Sequence, residues 1–217
     1  MNETNGKRGV LFDLDGVLLD SEGQYSIFWQ EMDAKYHTSV PNFANFIKGF
    51  HLGQILEYFA NDDIRHQIVE ELLEYEQNMK FDFFPGALDF VKRLRDAGVP
   101  IAIVTSSDKK KMASLYAQHP EFPGLFDCIV TGDMVTHSKP DPECFVLAAK
   151  QLGLDAKNCI VFEDSRNGLK AGRDSGASII GVATTLTQEE VSRMSDMNTD
   201  AVAHLSVEQV LNCKRPD

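Results

Sequence analysis

The sequence predicts an α/β protein: a parallel sheet flanked by helices, with a purely helical insertion near its start. Three observations carry this. From residue 85 onward, short apolar runs alternate with stretches of helical length. Capping residues and glycines sit where those helices would begin and end. Residues 20–84, by contrast, hold no convincing strand and place their apolar residues at mostly helical spacing. Strands separated by helices of this length pair in parallel through right-handed crossovers. In such sheets a ligand binds beyond the carboxyl ends of the strands.

Residues 8–12 (RGVLF) form a first strand that runs into an acidic turn. The insertion carries Ile27, Phe28, Ile55, Leu56, Phe59, Ile68, Leu72 and Leu73, and Pro85-Gly86 ends it. Pro85 suits the first turn of the next helix, and Gly98 sits where a glycine would close it. A buried-type strand follows at 101–104, then a helix over 108–118 capped by Ser107 or Asp108. The third strand is 128–130. A helix over 142–152 is capped by Asp141 and closed by Gly153. The fourth strand is 159–162, its helix 167–175 is closed by Gly176, and the fifth strand is 179–182. Thr187 with Glu190, and Ser206 with Gln209, are capping boxes for two late helices.

Composition narrows the function. Against 33 acidic residues stand 21 Lys and Arg, a net charge of −12. Affinity for a phosphate backbone or an anionic membrane needs clustered cations, so neither nucleic acid nor membrane is expected as a partner. The longest apolar run, 99–104, is far too short to span a bilayer, and the first residues lack the apolar core of a secretory signal. The four cysteines show no paired spacing, which reads as free thiols of a reducing compartment. The expectation is a cytoplasmic monomer.

The chemistry lies at the strand ends. The first strand ends in Asp13-Leu-Asp15-Gly16, the second in Thr105-Ser106-Ser107 and the fourth in Glu163-Asp164-Ser165, while Ser138-Lys139-Pro140 precedes a helix. A parallel sheet brings all four to one edge. Four carboxylates there repel, by roughly 4 kcal/mol for a pair about 4 Å apart at an effective dielectric near 20. Lys139 supplies one positive charge. Hard carboxylate oxygens suit Mg²⁺ for the rest, and no His or Cys spacing offers a zinc site. A metal, a lysine and hydroxyl groups make a phosphate cradle. Asp13 is placed as a nucleophile and Asp15 as general acid and base. Thr105 and the next backbone N–H bind a phosphoryl oxygen, and Gly16 permits the sharp turn.

With these four ordered motifs, Asp13-Leu-Asp15-Gly16-Val17, Thr105-Ser106, Lys139-Pro140 and Glu163-Asp164, the chain resembles the haloacid dehalogenase superfamily, in its β-phosphoglucomutase and small-molecule phosphatase branch. The resemblance implies a Rossmann-like catalytic core (1–19 and 85–217) with an inserted α-helical cap (20–84). It also implies Mg²⁺ on Asp13, the Asp15 carbonyl and Asp164, Glu163 as a supporting ligand, and Lys139 paired with Asp13 and the phosphate. Dehalogenases proper lack the second Asp, so Asp15 points away from their chemistry. The mutases carry a His where Tyr25 aligns, an Arg where Leu52 aligns and a Lys where Asp108 aligns. The missing Arg and Lys favour hydrolysis of a small phosphomonoester over transfer within a bisphosphate. The alternatives are a hexose-phosphate mutase, an inorganic pyrophosphatase and a catalytically silent cation-binding module.

Ser106, Glu22 and Tyr25 are the expected substrate contacts. Phe28, Trp29, Phe46, Phe50, Tyr58 and Phe59 read as helix packing rather than a substrate box. Lys48, His51 and Gln54 read as surface residues, and Lys109-Lys110-Lys111 as a solvated helix face. Arg166 and Asn167 either contact substrate or cap a helix.

Overall fold

The structure is a computed structural model that describes residues 8–47, 50 and 52–214 and, at Glu22, the backbone alone. Six strands form one sheet: β1 (Gly9–Phe12), β2 (Ile101–Val104), β3 (Cys128–Val130), β4 (Cys159–Glu163), β5 (Ser178–Val182) and β6 (Met197–Thr199). Their order is β3-β2-β1-β4-β5-β6, and every pairing is parallel. The α/β parallel-sheet class read from the sequence is therefore correct. Progression runs outward from β1 on both sides. The chain reverses its winding direction between β1 and β4, and a crevice opens at that point beyond their carboxyl ends.

Helices cover both faces. Period-two alternation sends Val10, Phe12, Ile101, Ile103, Ile160 and Phe162 to one side. There they meet Phe90, Val91 and Leu94 of α5 (Ala87–Asp96) and Leu115 of α6 (Lys109–Gln118). The other side carries Leu11, Ala102, Val104 and Val161, packed on Phe145 of α7 (Glu143–Gln151) and Leu169 of α8 (Arg166–Asp174). Two further helices, α9 (Gln188–Met194) and α10 (Val207–Asn212), begin with the capping boxes read from the sequence, Thr187 with Glu190 and Ser206 with Gln209.

Some boundaries move. Strand β6 was not foreseen: Met-Asn-Thr is too short and polar to signal a strand, and only pairing with β5 makes it one. Pro85 does not open α5. Gly86 adopts a left-handed φ of 75° as the N-cap, so the helix starts at Ala87. Asp108 is the cap of α6, accepting from Lys111 N at 2.9 Å. Gly98, Gly153 and Gly176 close their helices with positive φ.

Among the described residues of 22–78 the regular elements are helices: α1 (Glu22–Tyr36), α2 (Phe43–Phe46), α3 (Leu52–Leu56) and α4 (Asp62–Asn78). They have a core of their own, in which Phe28, Trp29, Met32, Phe43, Phe59 and Ile68 are buried. The two crossings to the sheet run side by side, with Asp20 N donating to Asp82 O and Phe84 N to Leu18 O, both at 2.9 Å. Helix α4 reaches back to touch α6. Among the described residues no helix is long and apolar enough to cross a membrane.

Candidate active site

Asp13 follows the last residue of β1, and its amide donates to Phe162 O on the neighbouring β4 at 2.9 Å. Lys139 arrives from the loop before α7 and is buried. Its ammonium donates to Asp13 Oδ1 at 2.5 Å, to Glu163 Oε1 at 2.7 Å and to Val104 O at 3.0 Å. All three N–H bonds are thus assigned. The other oxygen of Glu163 accepts from Asp164 N, Ser165 N and Ser165 Oγ, which fixes the β4–α8 turn. No room is left over there: a Cβ on Gly168 would lie 1.7 Å from Glu163 Oε1. Asp164 accepts from Thr185, beyond β5. Gly16, at φ 76°, lets the chain turn beneath it, and a Cβ there would lie 1.9 Å from Asp164 Oδ2.

Asp15 points to the other side. It accepts from Ser21 Oγ at 2.6 Å, Ser107 Oγ at 3.0 Å and Lys111 Nζ at 2.7 and 2.8 Å. This corrects the reading of the Lys109–Lys111 run as a solvated face. Lys111 is buried, with only 4% of its side chain exposed. Asp108 fixes the helix register, and Lys111 lies one turn in, where side chains lean back over the helix start. Lys109 and Lys110 stay exposed. A cation therefore stands in the site even though position 108 is Asp.

The electrostatics follow from this wiring. Burial pushes the Asp13 carboxyl up against the opposing pull of Lys139, and Glu163 and Asp15 add to the rise, which reaches about 7. Burial pulls the Lys139 ammonium down, but Asp13 and Glu163 outweigh it and hold it above the usual lysine range. Burial would also raise Asp15, yet Lys111, Ser21 and Ser107 outweigh it and hold the carboxyl below its usual range. One lysine thus serves two buried carboxylates, and Asp164 adds a third. Asp13, Glu163 and Asp164 each offer an oxygen within 4.8 Å of the others. An excess of buried negative charge on hard oxygens, without His or Cys, fits Mg²⁺.

Thr105 is buried after β2, and its Oγ1 accepts from Ser107 N at 3.0 Å, which leaves its O–H free to donate into the crevice. The sequence model of the haloacid dehalogenase-like hydrolases matches residues 7–176. The chain belongs to that family. This hydrolase is 30% identical over 221 residues to hexitol phosphatase A of Escherichia coli (strain K12), covering 97% of this chain and 96% of the relative. It is also 30% identical over 203 residues to the Drosophila melanogaster protein named "Probable pseudouridine-5'-phosphatase", covering 86% and 87%. A solved family IA, variant 3 hydrolase of the superfamily from Entamoeba histolytica HM-1:IMSS superposes with a TM-score of 0.82 at 23% identity, over 95% of this chain and 98% of that one. Like its named relatives, the hydrolase is a phosphoric monoester hydrolase.

The crevice of the hydrolase opens into a cavity of about 580 Å³ that reaches from Asp13 to the helices of residues 22–78. Tyr25 lines it, as expected, but the phenol is engaged: its O–H donates to Glu76 Oε1 at 2.7 Å, and Lys111 Nζ lies 4.8 Å from its ring centroid. Ser106 is exposed in the wall. The Glu22 side chain, Lys48 and His51 lie outside the described residues. Asn167 lines the cavity, whereas Arg166 pairs with Glu190 on the exposed surface, and the α8 cap is Ser165. Phe28 and Phe59 are packing residues, as read, but Trp29 and Phe50 also face the cavity. Lys111, Glu76 and Thr185 are the members of the site that the sequence reading missed. Thr185 had one legible signal, a hydroxyl just beyond a strand end on the same edge.

Proposed function

We propose that the chain is a Mg²⁺-dependent phosphatase of a small phosphorylated metabolite, acting through phosphorylated Asp13. The observation that carries this is the meeting of Asp13, Asp15, Lys139 and Asp164 at one sheet edge. Asp13 Oδ forms a bond to phosphorus as the ester P–O bond breaks, and Asp15, ionised in the substrate-free site, passes to the departing alcohol oxygen a proton that it takes up from the entering ester monoanion. Water then attacks phosphorus, Asp15 removes its proton, the bond to Asp13 breaks and phosphate leaves. Lys139 offsets charge on Asp13 and the phosphoryl oxygens, while Thr105 and the Ser106 amide hold another oxygen. Asp13, the Asp15 carbonyl and Asp164 would hold the metal, which neutralises phosphoryl charge, and Glu163 supports them from behind.

In this reading residues 1–19 and 85–217 are the catalytic core and 20–84 the cap that excludes bulk water and touches the alcohol. Tyr25 and Ser106, which both line the cavity, would contact the ester. Relatives are named as a hexitol phosphatase and a probable pseudouridine-5'-phosphatase, which supports a phosphorylated sugar, polyol or nucleoside as substrate. The test is hydrolysis of p-nitrophenyl phosphate after EDTA treatment. Activity should vanish and return with Mg²⁺; an EDTA-treated enzyme that keeps its full rate overturns the metal assignment.

A further inference from the structure

The cavity is chemically two-sided. Its floor, beyond the sheet edge, is polar. Its far end is mostly apolar among the described residues, with Trp29 from α1, Phe50 and Ile55 among the lining side chains and Ser26 as a polar exception. Helix α4 draws the boundary itself. Val69, Leu72, Leu73 and Glu76 recur at three- and four-residue spacing, so one face of α4 lines the cavity. Three apolar residues stand on that face, and the carboxylate comes at the end of α4 that meets α6.

Glu76 accepts from the Tyr25 hydroxyl and lies near Asp108 and Asp15. Carboxylates at this level accept hydrogen bonds from hydroxyl groups and repel a second anion. Further out, where Ser26 is the one described hydroxyl on the α1 side, a hydroxyl group pressed on the Val69–Leu72–Leu73 face would lose its water with little to replace it, which is costly. A flat ring there would instead gain apolar and aromatic contact.

Building on the phosphatase reading, we propose that the substrate is a nucleoside monophosphate: the phosphate on Asp13, the hydroxylated ribose beside Glu76 and Tyr25, and the planar base against Trp29 and the Val69–Leu72–Leu73 face. A bare sugar phosphate leaves the far end unfilled. An open-chain polyol phosphate places hydroxyl groups against it.

Two measurements on the full chain with Mg²⁺ test this. The first compares kcat/KM for uridine 5′-monophosphate, ribose 5-phosphate and sorbitol 6-phosphate. The nucleotide should lead by about tenfold or more, and Leu73→Asn should collapse its ratio to ribose 5-phosphate. The second uses Trp29, the only tryptophan of the chain. In Asp13→Asn protein, uridine 5′-monophosphate should quench its emission, and the two sugar phosphates should not. Sugar phosphates hydrolysed as well as the nucleotide, with Trp29 silent, overturn the substrate class and leave the phosphatase reading standing. Quenching without turnover of any ester by the unsubstituted enzyme overturns the phosphatase reading and upholds the base pocket. Neither quenching nor turnover overturns both.

Discussion

Lys111 clasps Asp15 with contacts of 2.7 and 2.8 Å to its two carboxylate oxygens, across 96 residues of sequence. The contact joins the first turn of α6 to the loop after β1. It keeps the proposed acid–base residue ionised and aimed, with Ser21 and Ser107 holding it from the sides. Lys111→Met should lower kcat by about 10²-fold, the scale of lost acid–base alignment. The sign in pH follows from the depressed carboxyl. Without Lys111, Asp15 keeps its proton to higher pH, so the acidic limb of the kcat profile should move upward. An unchanged limb would show that Asp15 is not the base.

Asp13→Asn removes the proposed nucleophile while keeping its shape. Turnover and acid-trappable phosphoenzyme should both disappear. Phosphate incorporation that persists in this variant would place the covalent step elsewhere.

Asp13 links metal, pH and stability. Its carboxyl is raised in the fold to about 7, against an ordinary value near 4. A raised folded-state value means that its contribution favours folding below pH ~4 and is lost as pH climbs toward ~7. A divalent cation on the ionised cluster opposes that loss. Mg²⁺ should therefore raise Tm more at pH 8 than at pH 5, read by calorimetry without any substrate. A Mg²⁺ effect of equal size at both values would argue against binding at Asp13 and Asp164.

Gly168→Ala probes the support behind the site. The added Cβ would displace Glu163, which is 1% exposed and bound to Lys139. Moving one member of a buried charged set is expected to cost about 3 kcal/mol and most of the activity. Urea unfolding checks the first figure. A fully stable, fully active variant would show that Glu163 is not fixed by this contact.

Much of this was legible from the chain alone. Short continuous apolar runs, glycine helix ends and two capping boxes are local signals, and their alternation implied the parallel sheet. Asp13, Asp15, Thr105, Lys139, Glu163 and Asp164 stood at strand ends or a helix start, where parallel topology delivers them to one edge. β6 was hidden because Met-Asn-Thr becomes a strand only through pairing with β5. Lys111 was hidden because three consecutive lysines look alike in sequence, and only the register of α6 turns the third inward. Glu76 and the apolar face of α4 were hidden because a helix does not announce which neighbour its stripe will meet. Local patterning thus determined the elements and the chemistry of the sheet edge. The second cation and the two-sided cavity depend on how α4 and α6 lie against the rest, and that orientation is set by packing between residues far apart in the chain.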